Sequence, residues 1–342
     1  MEAGMTPAVI APTLIALDWG TSSLRAYLMD GEGRIMDRRS NAHGIQNLPV
    51  PGVAGFERVF GEICGEWLNR HPGLPVVAGG MVGSAQGWAE APYVRCPADT
   101  ATLAGSAVSV ESAGGVRLLI APGVIFDPPD DHPDVMRGEE IQIAGALADH
   151  PAFGARACVA LPGTHSKWVQ VSDGKIARFA TYMTGELFAV LSRHSILGRL
   201  MPEEAGAKVG IDASARDAAF TAGVEAARNG STGDLAHQIF AARTLGLTRR
   251  LPAEALKDYL SGLLIGSELV SGLALMRDTL AFDTPLVLIG EDALCERYVR
   301  ALEVLGVRPS AKLENTAPRG LFQFAVSAGL VPPLSPAGAT AP

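Results

Sequence analysis

The sequence predicts an α/β protein built of two similar halves. Two observations carry that reading. The first 40 residues run strand, polar turn, strand, turn, strand, and the same order returns near the midpoint. Each of these meanders is followed by further helix and strand. A boundary near residue 155 gives halves 1–155 and 156–331, with a flexible tail over 332–342. At roughly 150 residues per domain, a chain of 342 residues suits two domains.

The elements follow from local pattern. Residues 13–17 are an apolar run that ends at Asp18, a strand signal, and Trp19, Gly20, Thr21, Ser22 and Ser23 supply a turn. Residues 24–29 return as a second strand. The Asp30-Gly31-Glu32-Gly33 turn leads into a third over 34–39. Over 55–69, Phe56, Val59, Phe60, Ile63 and Trp67 recur at helical spacing, and Pro72 follows the end. Residues 74–78 and 116–121 read as buried strands, 79–84 and 127–137 as loops, and 139–147 as a helix. The second meander is 157–161, the turn 162–166, 168–171, the turn 172–174, and 175–180. Beyond Thr184 the pattern is mostly helical. A late strand over 284–289, a helix from 293 to about 305 and a terminal helix over 322–330 complete the second half. The repeat is one of topology, and two such halves imply a cleft between them.

Composition excludes several classes. Hydrophobic residues make up 48% and charged residues 19%, which is unlike a disordered chain. The formal net charge of −8, from 28 Lys and Arg against 36 Asp and Glu, argues against a nucleic-acid binder. It does not argue against a nucleotide, because backbone amides and a metal ion hold phosphates without a basic surface. Cys64, Cys96, Cys158 and Cys295 are far apart and form no C-x-x-C pair, so a zinc site or disulfide scaffold is not expected. Residues 3–17 lack a basic lead and contain Pro7 and Pro12, a poor signal peptide. The apolar stretch 259–276 contains Glu268 and reads as a core helix, not a membrane span. The expectation is a cytoplasmic protein without membrane partners.

Four segments carry chemistry. Asp18 ends a buried strand, where it can hold a magnesium ion through water, and the amides and hydroxyls of residues 20–23 can face a phosphate. The same segment also reads as a plain hairpin whose Asp caps its turn. Gly163, Thr164, His165, Ser166 and Lys167 offer a second such turn at the equivalent place in the second half. Two of them, each opening a half, could grip a polyphosphate from both ends. Glu139 and Glu140 begin a helix, where the dipole favours carboxylates. Glu140 shares a face with Ile143, Ala144 and Leu147 and so points inward. An inward carboxylate needs a partner or a task, which favours Glu140 over Glu139 as a general base. Gly290, with Glu291 next to it, follows a buried strand and lets a flat ring such as adenine come close. The loop holding Gly83, Ser84, Gln86 and Trp88 could line a small-molecule pocket, with Trp88 and Tyr93 as walls. P-loop, dinucleotide, zincin and nucleophile-elbow motifs are absent.

The segment LDWGTSS with its meander resembles the first phosphate motif of the sugar kinase, actin and heat-shock ATPase superfamily, and PGTHSK its second. Residues 286–290 resemble its adenosine motif. More specifically, LDWGTSSLRAYL, AGGMVGSAQGW, MRGEEIQIAGAL, LPGTHSKWV and TGELFAVLSRHSILGRL, spread over 17–200, resemble the 2-dehydro-3-deoxygalactonokinase family. The resemblance implies two ribonuclease H-like (actin-like ATPase) domains with an interdomain cleft. It further implies ATP and Mg2+ as cofactors and phosphorylation of a small sugar acid at its 6-hydroxyl, in galactonate catabolism. The acid's carboxylate should meet a cation, with Arg25, Arg137 and Arg193 as candidates. Arg193 lies in 185–200, read as a lid or an inter-subunit element of a homodimer. The second phosphate turn lacks the Asp that is the base in many sugar kinases, and Glu139-Glu140 instead resembles the paired Glu of exopolyphosphatases. That keeps three alternatives open: a phosphohydrolase, a kinase of another acidic sugar, and a non-catalytic ATP-dependent switch or filament protein.

Overall fold

The computed structural model describes residues 11–202, 212–231, 233–279 and 283–333, so most of the tail expected over 332–342 lies outside the described residues. Two compact units result. Unit 1 comprises 11–155, 172–178 and 315–333, and unit 2 comprises 156–171 and 179–314.

In unit 1 the meander is β1 (Pro12–Trp19), β2 (Leu24–Asp30) and β3 (Ile35–Asn41), each antiparallel to the next. Helix α1 (Val53–Arg70) then crosses to β4 (Val76–Gly79), which runs parallel to β1 with Asp18 opposite Gly79. After β5 (Tyr93–Arg95) and α2 (Thr100–Gly105) come β6 (Val108–Glu111) and β7 (Arg117–Ile120). The chain continues through β8 (Gly123–Phe126), β9 (Asp134–Met136), α3 (Glu139–Asp149) and the short α4 (Ala152–Ala155). The main sheet has the order β3-β2-β1-β4-β7-β6, and β5-β8-β9 form a small second sheet. Side chains alternate along β1 and β2. Leu17, Trp19, Leu24 and Ala26 meet Phe56, Val59, Phe60, Ile63 and Trp67 of α1 in one buried cluster. This is the face that the helical spacing of α1 predicts.

The plan recurs with β10 (Arg156–Leu161), β11 (Ser166–Ser172) and β12 (Lys175–Tyr182), of which residues 175–178 count with unit 1 and the rest of β12 with unit 2. Where unit 1 has one crossover helix, unit 2 has α5 (Thr184–His194), α6 (Ala213–Asn229), α7 (Leu235–Gln238), α8 (Ala241–Leu247) and α9 (Leu256–Thr279). Then follow β13 (Leu286–Ile289), α10 (Asp292–Val304) and β14 (Ala311–Leu313). The sheet order β12-β11-β10-β13-β14 matches β3-β2-β1-β4-β7 of unit 1, and both are the 3-2-1-4-5 order of a ribonuclease H-like domain. No helix among the described residues is long and apolar enough to cross a membrane.

The last helix, α11 (Ala317–Ser327), starts five residues before the predicted 322–330, with Pro318 in its first turn. It also belongs to unit 1, although the sequence assigns 315–331 to the second half. The reason is packing. Leu321, Phe322 and Phe324 are fully buried, and α11 crosses α3 backbone to backbone. A Cβ on Gly320 would lie 1.8 Å from the Ile141 carbonyl oxygen, and one on Gly145 would lie 2.0 Å from that of Thr316. The predicted loop 127–137 contains β9, and β5, β6, β8 and β14 have no counterpart in the sequence reading.

Because α3 carries Glu139 and Glu140, this crossing fixes their position. Gly320→Ala should force the helices apart and cost about 1–3 kcal/mol, the usual penalty of overpacking. A thermal melt should show a fall of several degrees, and an unchanged midpoint would mean that the crossing yields easily.

Candidate active site

In unit 1 the C-terminal ends of β1 and β4 and the start of α3 converge on glycines. A Cβ on Gly80, which has φ 92°, would lie 2.9 Å from the Trp19 carbonyl oxygen, and one on Gly138 would lie 3.4 Å from the Gly80 Cα. Asp18, the 79–84 loop and Glu139-Glu140 are therefore brought together by backbone close approach. The turn after β1 is braced from one side. Gly20 N donates to the Ser23 carbonyl at 3.0 Å, while Ile45 N and Gln46 N donate to the carbonyls of Gly20 and Thr21 at 3.1 Å. Ser22 is exposed and Thr21 and Ser23 are half-buried. Asp18 is a quarter exposed and meets Arg25 Nη1 across the β1–β2 pair at 3.4 Å. Burial raises the Asp18 carboxyl above its ordinary range, and the Arg25 guanidinium opposes the rise.

The two glutamates part company. Glu140 is 1% exposed, and both its oxygens accept from Gly138 N, at 2.9 and 2.7 Å. Burial, and then the charge of Glu139, push its carboxyl up to about 8. Glu139 is half-buried and accepts from Arg137 N at 3.0 Å. The inward orientation expected of Glu140 is observed, but inward is toward the helix's own first turn, where the acid keeps its proton at neutral pH.

Arg137 threads past Gly83, on which a Cβ would lie 3.0 Å from Nη1. Its Nη2 donates to the Ala91 carbonyl at 2.8 Å, and its guanidinium lies 4.5 Å from the Tyr93 ring centroid. Its Nε and Nη1, and the Ser84 hydroxyl, are buried without a hydrogen-bond partner. Gln86 is exposed on the same loop. Trp88 is not a pocket wall. Its ring stacks on Phe56 at 5.9 Å and meets Trp19 and Phe60, because the loop folds its apolar residue onto the α1 cluster.

In unit 2 a pocket of about 1530 Å³ is lined by Gly163 and Thr164 of the second turn, by Thr184, Gly185 and Arg193 of α5, by Lys257 and Ser261 of α9, and by Glu291 and Arg297 of α10. Glu291 caps α10, accepting from Ala293 N and Leu294 N. Gly290 N donates to the Leu313 carbonyl at 3.1 Å, and a Cβ there would lie 3.5 Å from the Pro162 carbonyl. Arg193 thus lines the unit 2 pocket. Two predicted phosphate contacts have other partners. Ser166 is fully buried, 3.0 Å from the Tyr298 hydroxyl, and Lys167 is 5% exposed and donates to Thr181 at 2.7 Å. Both belong to β11, whose pairing turns these side chains inward. His165 is paired with Glu186.

The family described as 2-keto-3-deoxy-galactonokinase matches residues 18–324. The chain belongs to this family. It is 38% identical over 304 residues to the 2-dehydro-3-deoxygalactonokinase of Escherichia coli (strain K12), covering 89% of this chain and 94% of the relative. A relative of the same enzyme name from Rhizobium meliloti (strain 1021) is 34% identical over 315 residues, covering 92% and 96%. A crystal structure from Sinorhizobium meliloti, described under that enzyme name as well, is 32% identical, covers 92% of this chain and 98% of its own, and superposes with a TM-score of 0.76. The chain is thus a sugar-acid kinase, which sets the phosphohydrolase and filament readings aside.

The sequence missed Lys257, Ser261, Tyr298 and the buried Glu268, all on helices whose apolar pattern hides them. Glu140 gives a test of the geometry. Its carboxyl, raised from 4.5 to about 8, is protonated when folded and ionised when unfolded in that window, so stability should fall as pH rises through it. Glu140→Gln should flatten this fall in urea titrations between pH 5 and pH 8. A variant with the slope of the wild type would mean that the acid is already ionised.

Proposed function

We propose that this kinase transfers the γ-phosphoryl group of ATP to the 6-hydroxyl of 2-dehydro-3-deoxy-D-galactonate, giving the 6-phosphate and ADP, in galactonate catabolism in the cytoplasm. Family membership supports the reaction type. The single structural observation that carries an acidic substrate is the unpartnered Nε and Nη1 of Arg137, with the unpartnered Ser84 hydroxyl on the adjoining loop, because buried donors without partners are costly unless a ligand completes them. A carboxylate is the group that a guanidinium and a hydroxyl would complete.

The roles follow the geometry. The unit 2 pocket takes the nucleotide, with Gly163 and Thr164 at its phosphates and Gly290 and Glu291 near its adenosine. The turn 20–23 offers its amides and the exposed Ser22 hydroxyl to a phosphate. Among the described residues no three His, Cys, Asp or Glu side chains gather as a metal centre. A cation at Asp18 would therefore draw most of its ligands from phosphate oxygens and water, which suits Mg2+. Bound there, Mg2+ would neutralise charge on the phosphates. Glu139, and not the protonated Glu140, accepts the proton as the sugar oxygen bonds to phosphorus and the bond to ADP breaks. Arg137 and Ser84 hold the acid's carboxylate, and Arg25 orients Asp18 and opposes the burial-driven rise of its carboxyl.

The experiment is ADP release from Mg-ATP with the galactonate compound and, in parallel, with its C4 epimer. Turnover with the first alone is expected, and ADP release without any sugar acid would overturn the reading. Arg137→Ala should raise the KM for the sugar acid about tenfold or more with little change in that for ATP. Equal shifts in both would remove Arg137 from the carboxylate. Glu139→Gln should lower kcat by about two orders of magnitude, as loss of a general base does. If Glu140→Gln did this and Glu139→Gln did not, the base would be Glu140.

A further inference from the structure

Glu268 lies within α9 between Leu263, Leu264, Ile265 and Leu269, and is 3% exposed. A bare carboxylate there would be strongly unfavourable. Instead Oε1 accepts from Trp168 Nε1 at 2.9 Å and Oε2 accepts from the Tyr298 hydroxyl at 2.6 Å. The hydroxyls of Thr184 and Ser166 bond to the same carboxylate. Its partners come from β11, from the first residue of α5 and from α10. An indole N–H can only donate, and the three hydroxyls can each donate, so a carboxylate accepts from all four without any hydroxyl having to reverse its role, as an amide nitrogen would require.

The cage reaches the pocket. Ser166 accepts from Gly163 N at 3.3 Å and lies 3.0 Å from the Tyr298 hydroxyl. Glu186 N donates to the Thr164 carbonyl at 3.0 Å, and a Cβ on Gly185 would lie 2.5 Å from the Gly163 carbonyl oxygen. The turn and the first turn of α5 are thus seated on one another, and both are tied to Glu268. Gly163, Thr164, Thr184, Gly185 and Tyr298 all line the pocket.

We infer that Glu268 is a positioning residue for the nucleotide: through Tyr298, Ser166 and Thr184 it holds the turn at Gly163 and Thr164 and the start of α5 in the geometry that receives the polyphosphate. This rests on the reading of the unit 2 pocket as the ATP site. Trp168 serves the same carboxylate but touches no residue of the turn through it, so the cage has a part that positions and a part that only stabilises.

The test compares Glu268→Gln, Tyr298→Phe and Trp168→Phe by calorimetric titration with Mg-ADP, by steady-state kinetics and by thermal melting. Glu268→Gln and Tyr298→Phe should each raise the Kd for ADP and the KM for ATP by about tenfold, with the KM for the sugar acid held within about twofold. Trp168→Phe should lower Tm and leave the nucleotide constants within about twofold. Nucleotide constants unchanged in Glu268→Gln, or shifts in all three variants that merely follow Tm, would overturn the inference and leave a packing role. Wild-type protein that turns over but binds no Mg-ADP in the titration would overturn the pocket reading, and the inference with it.

Discussion

A turn that holds phosphate through its backbone cannot be stiffened by its own side chains. It needs small residues so that the amides can reach the ligand, and small residues leave the chain free. The two strand-ending turns proposed to receive the polyphosphate are each braced from outside. In unit 1 the brace is backbone: the loop after β3 donates to the carbonyls of Gly20 and Thr21, and Gly44 lets it come so near that a Cβ would lie 2.3 Å from the Thr21 oxygen. Trp19 ties the same loop through its indole N–H to the His43 carbonyl at 2.9 Å. In unit 2 the brace is a buried carboxylate with hydroxyl and indole donors. One topology thus meets one requirement twice, by different chemistry.

The charges of each unit follow from what each must hold. A chain with net charge −8 still presents Lys257, Arg193 and Arg297 to the unit 2 pocket. Arg297 is the structural member of the three, since it pairs with Asp258 at 3.2 Å and lies over Phe220. In unit 1 the contrast is between Arg25 and Arg137. Arg25 is half exposed and already answers Asp18, so its charge is partly spent within the protein. Arg137 is held by a carbonyl and an aromatic face, neither of which neutralises it. A guanidinium fixed in place with its Nε and Nη1 unbonded is suited to recognise an anion.

The strands that end in Asp18 and at Leu161 were legible because an apolar run meets a polar, Gly-containing turn there, and α1 because five large apolar residues keep its period. Strands of three or four residues such as β5, β9 and β14 are too short for any period to declare itself. The C-terminal helix was legible as a helix, but its return to unit 1 depends on Gly145 and Gly320, whose role is visible only when two helices cross. The motifs located the candidate site, yet motif spacing does not orient side chains. Ser166 and Lys167 follow the same turn as Gly163 and Thr164, and strand pairing sends them into the interior. Trp88 lies in the core against the rings of Phe56, Trp19 and Phe60. Glu268 carried no signal beyond being a charge in an apolar helix.

The paired glutamates show how geometry separates two residues that sequence treats alike. Successive residues on a helix are about 100° apart, so one of an adjacent pair can be buried while the other is not. Glu140 takes the buried place, closing back on Gly138 N at the first turn of α3. There desolvation opposes its charge, and the charge of Glu139 opposes it further. The consequence runs in both directions. Ionising Glu140 beside Glu139 is opposed, and a Glu140 held toward its neutral form spares the site a second negative charge at the start of α3. The buried acid thus supports its half-buried neighbour by staying toward the neutral side.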